Sequence, residues 1–136
     1  MAKLHHLALG AKNVESLATF YAEVFELETV QVHRTEDGEV RSIWLDLGGA
    51  LLMIERTATS RFTVQGVGAG LFLLAFQVAE SERGEFEHRL LEQGCGVESR
   101  TQYSSYARDP EGNRLAVSHY PISKSPEKYR SPPPEK

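Results

Sequence analysis

The chain has 136 residues, 40% hydrophobic and 25% charged, the profile of one globular domain able to bury a single core. A formal charge of −4 argues against nucleic acid or an anionic membrane as the main partner, since either wants a basic face. The single cysteine, Cys95, rules out an internal disulfide. No charged-then-apolar leader opens the sequence and no apolar run approaches the roughly 18 residues of a membrane span, so a cytoplasmic location is expected.

Residues 3–10 alternate as a strand, with Leu4, His6 and Ala8 on one face and His5, Leu7 and Leu9 on the other. Asn13 is placed to cap a helix. Val14, Leu17, Phe20, Val24 and Leu27 recur at helical spacing, which predicts a helix over 13–26. Two strands follow, 29–34 and 40–47, joined at Glu36-Asp37-Gly38, where an Asp-Gly pair favours a hairpin. Gly48-Gly49 turns the chain into a fourth strand over 50–56, and the module reads βαβββ.

Residues 57–70 read as a linker. The order then repeats: a strand over 71–79, a helix from about Ser81 to Gln93 closed by Gly94, and strands near 96–99, 103–108 and 113–120. Asp109-Pro110-Glu111-Gly112-Asn113 is a turn by composition. The expected organisation is therefore a single domain over 1–120, with module one at 3–56 and module two at 71–120. Residues 121–136 form a Pro-rich tail expected to be disordered, holding Lys124, Lys128, Arg130 and Lys136 against Glu127 and Glu135. Two copies of a unit of about sixty residues suit paired modules rather than a solenoid.

Alternation also assigns faces. Phe72, Leu74, Phe76 and Val78 form an apolar row for the helix side, which turns Leu73, Ala75 and Gln77 the other way. On the last strand Leu115 and Val117 face the helix, and Arg114, Ala116 and Ser118 face inward. The matching strand of module one offers Leu51, Met53 and Glu55, unless a slip of one residue exchanges them for Leu52 and Ile54.

The opening His5-His6-Leu7-Ala8-Leu9 followed by Phe20-Tyr21, together with the closing Asp109-Pro110-Glu111-Gly112-Asn113-Arg114-Leu115, resembles the vicinal oxygen chelate superfamily. That superfamily includes glyoxalase I, extradiol dioxygenases, and fosfomycin- and bleomycin-resistance proteins, and the resemblance runs from residue 4 to about 120. It implies an α+β fold in which two βαβββ modules form a paired half-barrel around one ligand site, commonly in a homodimer. It also implies a divalent ion, Fe, Mn, Ni or Zn, held by a histidine on the first strand of each module and a glutamate on the last strand of module two. Carried over by position, the first ligand is His6, the second falls on Leu73 and the third on Ala116. Neither Leu73 nor Ala116 can coordinate. Glu26 stands where the family usually ends its first helix with glycine, which affects a cap and little else.

His6 then has three accounts: a relic ligand, a hydrogen-bonding wall residue, or a satisfied interior histidine. Glu55 is a weak candidate for a general base, or a solvated strand end beside Arg56. Tyr106 is a cavity hydroxyl or an ordinary strand aromatic, and Trp44 a wall or core residue. His33 and His88 read as surface residues and Cys95 as a small buried hydrophobe. His5 is expected on the helix side, and His119 lies on the opposite face from Ala116. No phosphate cradle is present, since Gly66-Val67-Gly68-Ala69-Gly70 lacks the Lys-Ser/Thr it would need.

The leading expectation is a small-organic-molecule binding protein of the bleomycin-resistance type. It would have no catalytic metal, and its ligand would be bound by His6, Trp44, Met53, Glu55, Leu73, Tyr106 and Ala116. The alternative is a metal-dependent glyoxalase-like lyase, isomerase or dioxygenase using His6 and Glu55. A scaffold with no ligand is a third reading.

Overall fold

The computed structural model describes residues 1–60 and 64–122. Expectations for the tail from Ser123 onward lie outside the described residues. The chain divides into two compact units, one comprising Met1–Gln65 with Asp109–Asn113 and the other Gly66–Arg108 with Arg114 onward.

The first unit has the order β1 (His6–Ala11), α1 (Val14–Phe25), β2 (Thr29–Arg34), β3 (Val40–Asp46) and β4 (Leu51–Arg56). The sheet runs β1-β4-β3-β2, with β1 parallel to β4 and the other pairs antiparallel. Asn13 caps α1 as expected, its side chain accepting from Ser16 N at 3.0 Å. The core is the helix face of the sheet, where Leu52 and Ile54 are fully buried against Val14, Leu17, Phe20, Tyr21 and Val24. That burial settles the register of β4: Leu51, Met53 and Glu55 turn to the open face. At the helix end Glu26 is left-handed, with φ 56°.

The β2–β3 hairpin turns where the Asp-Gly pair stands, with Gly38 at φ 84° and its N–H donating to Thr35 O at 2.9 Å. The Arg56 side chain is tied to Val40 O at 2.6 Å and to Glu15 and Glu39 at 2.9 and 3.2 Å.

The second unit has β5 (Leu74–Gln77), α2 (Arg83–Glu92), β6 (Ser99–Arg100), β7 (Ser104–Arg108) and β8 (Arg114–Ser118), in a sheet ordered β5-β8-β7-β6. β5 is shorter than the 71–79 expected, because its ladder with β8 covers only Leu74↔Leu115 to Gln77↔Ser118. Phe72 therefore leaves the helix-side row and lies under the Arg114 guanidinium, 4.9 Å from its ring centroid. The helix begins late, because Glu80–Glu82 form a 3-10 turn first. β6 shrinks to two residues at 99–100 instead of a strand near 96–99. Gly94 closes α2 with φ 75°, its N–H donating to Leu91 O and that of Cys95 to Leu90 O.

Arg83 organises this unit. With 12% of its side chain exposed, it donates to Ser105 Oγ at 2.8 Å and to the carbonyls of Thr101, Gln102 and Ser104 at 2.8–2.9 Å. Ser105 in turn donates to Glu87.

Candidate functional site

The pairing registers place the open face of the first sheet in three cross-strand rows. One runs Gly10, Glu55, Ser42, His33; the next Ala8, Met53, Trp44, Gln31; the third His6, Leu51, Asp46. His6 and Ala8 are exposed, and Trp44, Met53 and Glu55 are half-buried. The central row is a hydrocarbon shelf from Ala8 through Met53 to the Trp44 indole. Residues of alternating strands point this way because the other parity, Leu9, Leu52, Ile54 and Leu45, is used up by the core.

His6 and Glu55 share the face but are not together. Glu55 pairs with Gly10, four residues along β1 from His6, a separation of roughly 13 Å at the rise of a strand. One ion held at about 2 Å by each would not span it.

His5 is exposed rather than on the helix side, because it precedes β1 and escapes its alternation. Its Nδ1 lies 2.9 Å from His6 Nδ1, with the rings edge to face at 5.1 Å. The Nδ1 of His6 is thus committed within the pair, and Nε2 is left for any other partner.

His33, expected at the surface, is half-buried against Trp44, with ring centroids 4.8 Å apart. His33 keeps its pairing with Ser42, and the register of β2 shifts only beyond it, between His33 and Arg34. His88 is exposed as expected. Cys95 is half-buried rather than a core residue, because it follows Gly94 out of the helix.

Among the described residues, hollows lie beside the rows on either side of the shelf. One of about 370 Å³ is lined by Gly10, Lys12, Thr57, Thr59, Ser60 and Glu111. The other, of about 430 Å³, lies beside His5, Asp46 and Leu51. Trp44 and Met53 line neither. Glu111 closes the first by accepting from the N–H groups of Lys12 and Asn13 at 2.9 and 3.2 Å, a carboxylate set at the start of α1 where it is electrostatically favoured.

On the second sheet, considered alone, Ala116 pairs with Ala75 on one side and Tyr106 on the other and is 2% exposed. Leu73 is half-buried just before β5. The Arg114 guanidinium lies 5.6 Å from the Tyr106 ring centroid. His119 is turned to Tyr103, 5.5 Å between rings.

The donor set for a superfamily-type metal does not fit. Hydrocarbon stands at Leu73 and Ala116, and among the described residues no group of three or more His, Cys, Asp or Glu is placed to hold an ion.

Solved structures share the fold. A mutant of the fosfomycin resistance protein FosX from Listeria monocytogenes, complexed with Mn(II) and 1S,2S-dihydroxypropylphosphonic acid, is similar at 16% identity and TM-score 0.76, over 90% of this chain and 95% of that one. The glyoxalase family protein from Enterococcus faecalis is similar at 26% identity and TM-score 0.66, over 85% and 96%. Lactoylglutathione lyase from Agrobacterium tumefaciens is similar at 24% identity and TM-score 0.63, over 87% and 93%. No curated protein sequence matches the chain. The profile of the Glyoxalase/Bleomycin resistance protein/Dioxygenase superfamily matches residues 3–117, and the chain belongs to that superfamily.

Proposed function

We propose that this protein binds a small organic molecule on the open face of its first sheet and does so without a catalytic metal. The observation that carries the reading is the hydrocarbon at Leu73 and Ala116, where the family resemblance puts two of three metal ligands. A wall that has lost its electron-pair donors holds a ligand by burial and shape. Ala8, Met53 and Trp44 supply such a wall, with His6 and Glu55 as polar groups at its two margins. On the second sheet, taken alone, Leu73 and Tyr106 are half-buried wall residues in the same sense, and Ala116 between Ala75 and Tyr106 is the buried floor beneath them. The FosX relative holds a small phosphonic acid, so small ligands are within the use of this fold.

A cytoplasmic homodimer is part of the reading, supported by family habit and the lone Cys95. Neither nucleic acid nor membrane is a partner in it. The net charge is −4, and no helix among the described residues is long and apolar enough to cross a membrane.

Two measurements test the proposal. Protein purified without chelator is dialysed and its metal content measured; stoichiometric Fe, Mn, Ni or Zn overturns the metal-free reading. Thermal-shift screening against small aromatic compounds is then expected to give hits that His6→Ala and Met53→Ala weaken. A hit series indifferent to both variants puts the ligand elsewhere.

A further inference from the structure

We infer that the hollow beyond the end of β1 is a second binding site, which takes a polyhydroxylated ligand, a polyol or a sugar, between the Lys12 ammonium and the Glu111 carboxylate. Ala8, Trp44 and Met53 do not line it, so it stands whether or not a ligand occupies the shelf.

The hollow measures about 370 Å³, at the small end of the roughly 300–1,000 Å³ of ligand sites. Gly10, Lys12, Thr59 and Ser60 are exposed along it, so a ligand can reach them. Apart from Gly10, every described residue lining it is Lys, Thr, Ser or Glu. Its walls are tied in place. The Thr57 N–H donates to Ala11 O at 3.0 Å, and the Glu111 N–H to Asp109 Oδ1 at 2.9 Å.

The lining has spare hydrogen-bonding capacity of both signs. Lys12 Nζ donates to Ser60 Oγ at 3.3 Å and, among the described residues, has no carboxylate within ion-pair distance. An ammonium carries three donors, so two remain. Ser60 keeps its own hydroxyl proton. Thr57 and Thr59 share one hydrogen bond at 2.9 Å between their hydroxyls, which leaves one more proton to give. Glu111 supplies the opposite sign: each oxygen accepts one backbone N–H, from Lys12 and Asn13, and has a lone pair left. A free oxyanion meets repulsion from Glu111, and a cation from Lys12. A hydroxyl group accepts from an ammonium and donates to a carboxylate through one atom, and adjacent hydroxyls do both at once. No aromatic ring lines the hollow to stack on a sugar face, so affinity rests on about four hydrogen bonds, a dissociation constant on the order of 1 mM.

Full-length ¹⁵N-labelled protein is titrated with xylitol, glucose, inorganic phosphate and glycine. Xylitol or glucose is expected to move the amide resonances of Gly10, Lys12 and Thr57 saturably, with those of Trp44 and Met53 unmoved. Lys12→Met and Glu111→Gln are each expected to weaken that probe about fivefold, the loss of one hydrogen bond. The remaining amide spectrum reports whether each variant is folded, and the wild-type titration stands without them. The sign of the Glu111→Gln effect is decisive, because removing a carboxylate tightens an anion and weakens a hydroxyl ligand. Binding of phosphate alone, tightened by Glu111→Gln, overturns the assignment in favour of an oxyanion. Binding of glycine alone overturns it in favour of a zwitterion. Polyol shifts at Trp44 and Met53 rather than Gly10, or no response to xylitol and glucose, overturn it as well.

Discussion

The Tyr21 hydroxyl donates to Asp109 Oδ2 at 2.7 Å, joining positions 88 residues apart. Asp109 is 4% exposed, and its carboxylate also accepts from Asn113 Nδ2 and from the N–H groups of Glu111 and Asn113 at 2.9–3.0 Å. A buried carboxylate persists only when so many donors replace its water. The Asp-Pro-Glu-Gly-Asn turn is therefore built around its first residue, and Tyr21 anchors it to α1. Tyr21→Phe keeps the ring packing and deletes one bond to a charged group, so it is expected to cost about 1.5–3 kcal/mol of unfolding free energy. Asp109→Ala leaves four donors short of an acceptor and costs more. Urea unfolding of the two variants beside wild type checks the order. An indistinguishable Tyr21→Phe midpoint would remove the anchor.

Arg83 offers a comparable test in the second unit. Its guanidinium serves three carbonyls and one hydroxyl in a fixed fork, a geometry that a lysine ammonium does not reproduce even though the charge is kept. Arg83→Lys is expected to destabilise by about 2–3 kcal/mol, with two or more carbonyls left short of a donor. Hydrogen exchange should rise first at Thr101 to Ser104. Uniform exchange across the unit would show that Arg83 contributes only charge.

How far these features were legible in the sequence follows from what each depends on. The parity of β1 and the Asn13 cap depend on neighbours within a few residues, and both were readable. The register of β4 was open between Met53 and Ile54, because both parities of Leu51-Leu52-Met53-Ile54 are apolar; only packing against α1 chose. The burial of His33 has no local signature, because it comes from Trp44 on the next strand. Alternation carried through Phe72 predicts an earlier start for β5, but that ring meets Arg114 instead. Family membership was legible because its two motifs are short and local. Leu73 and Ala116 spoke through residue type alone.

Glu26 is the only non-glycine residue with positive φ among the described residues. A left-handed conformation crowds Cβ against the following carbonyl and costs about 1–2 kcal/mol for a residue other than glycine. Glycine removes that strain and gives back part of the gain through its freer unfolded chain. Glu26→Gly is expected to stabilise the protein by about 0.5–1 kcal/mol, read as a higher denaturant midpoint at unchanged slope. A lower midpoint would mean that the Glu26 side chain contributes more than the strain it carries.

Ala8 allows the binding face to be blocked without disturbing the core. It is exposed on β1, beside Met53, with its neighbours Leu7 and Leu9 turned to the opposite side. A phenyl group there projects over the shelf rather than into packed interior, so Ala8→Phe is expected to change stability by no more than about 0.5 kcal/mol, as for other surface substitutions. Its effect on binding should be far larger, because the ring occupies the surface on which a flat ligand would lie. Thermal-shift hits found with wild type are expected to vanish in Ala8→Phe at an unchanged unliganded melting temperature. If the hits persist, the open face of the first sheet is not where they bind, and the hollow beside Lys12, Thr57 and Glu111 becomes the surface to block next.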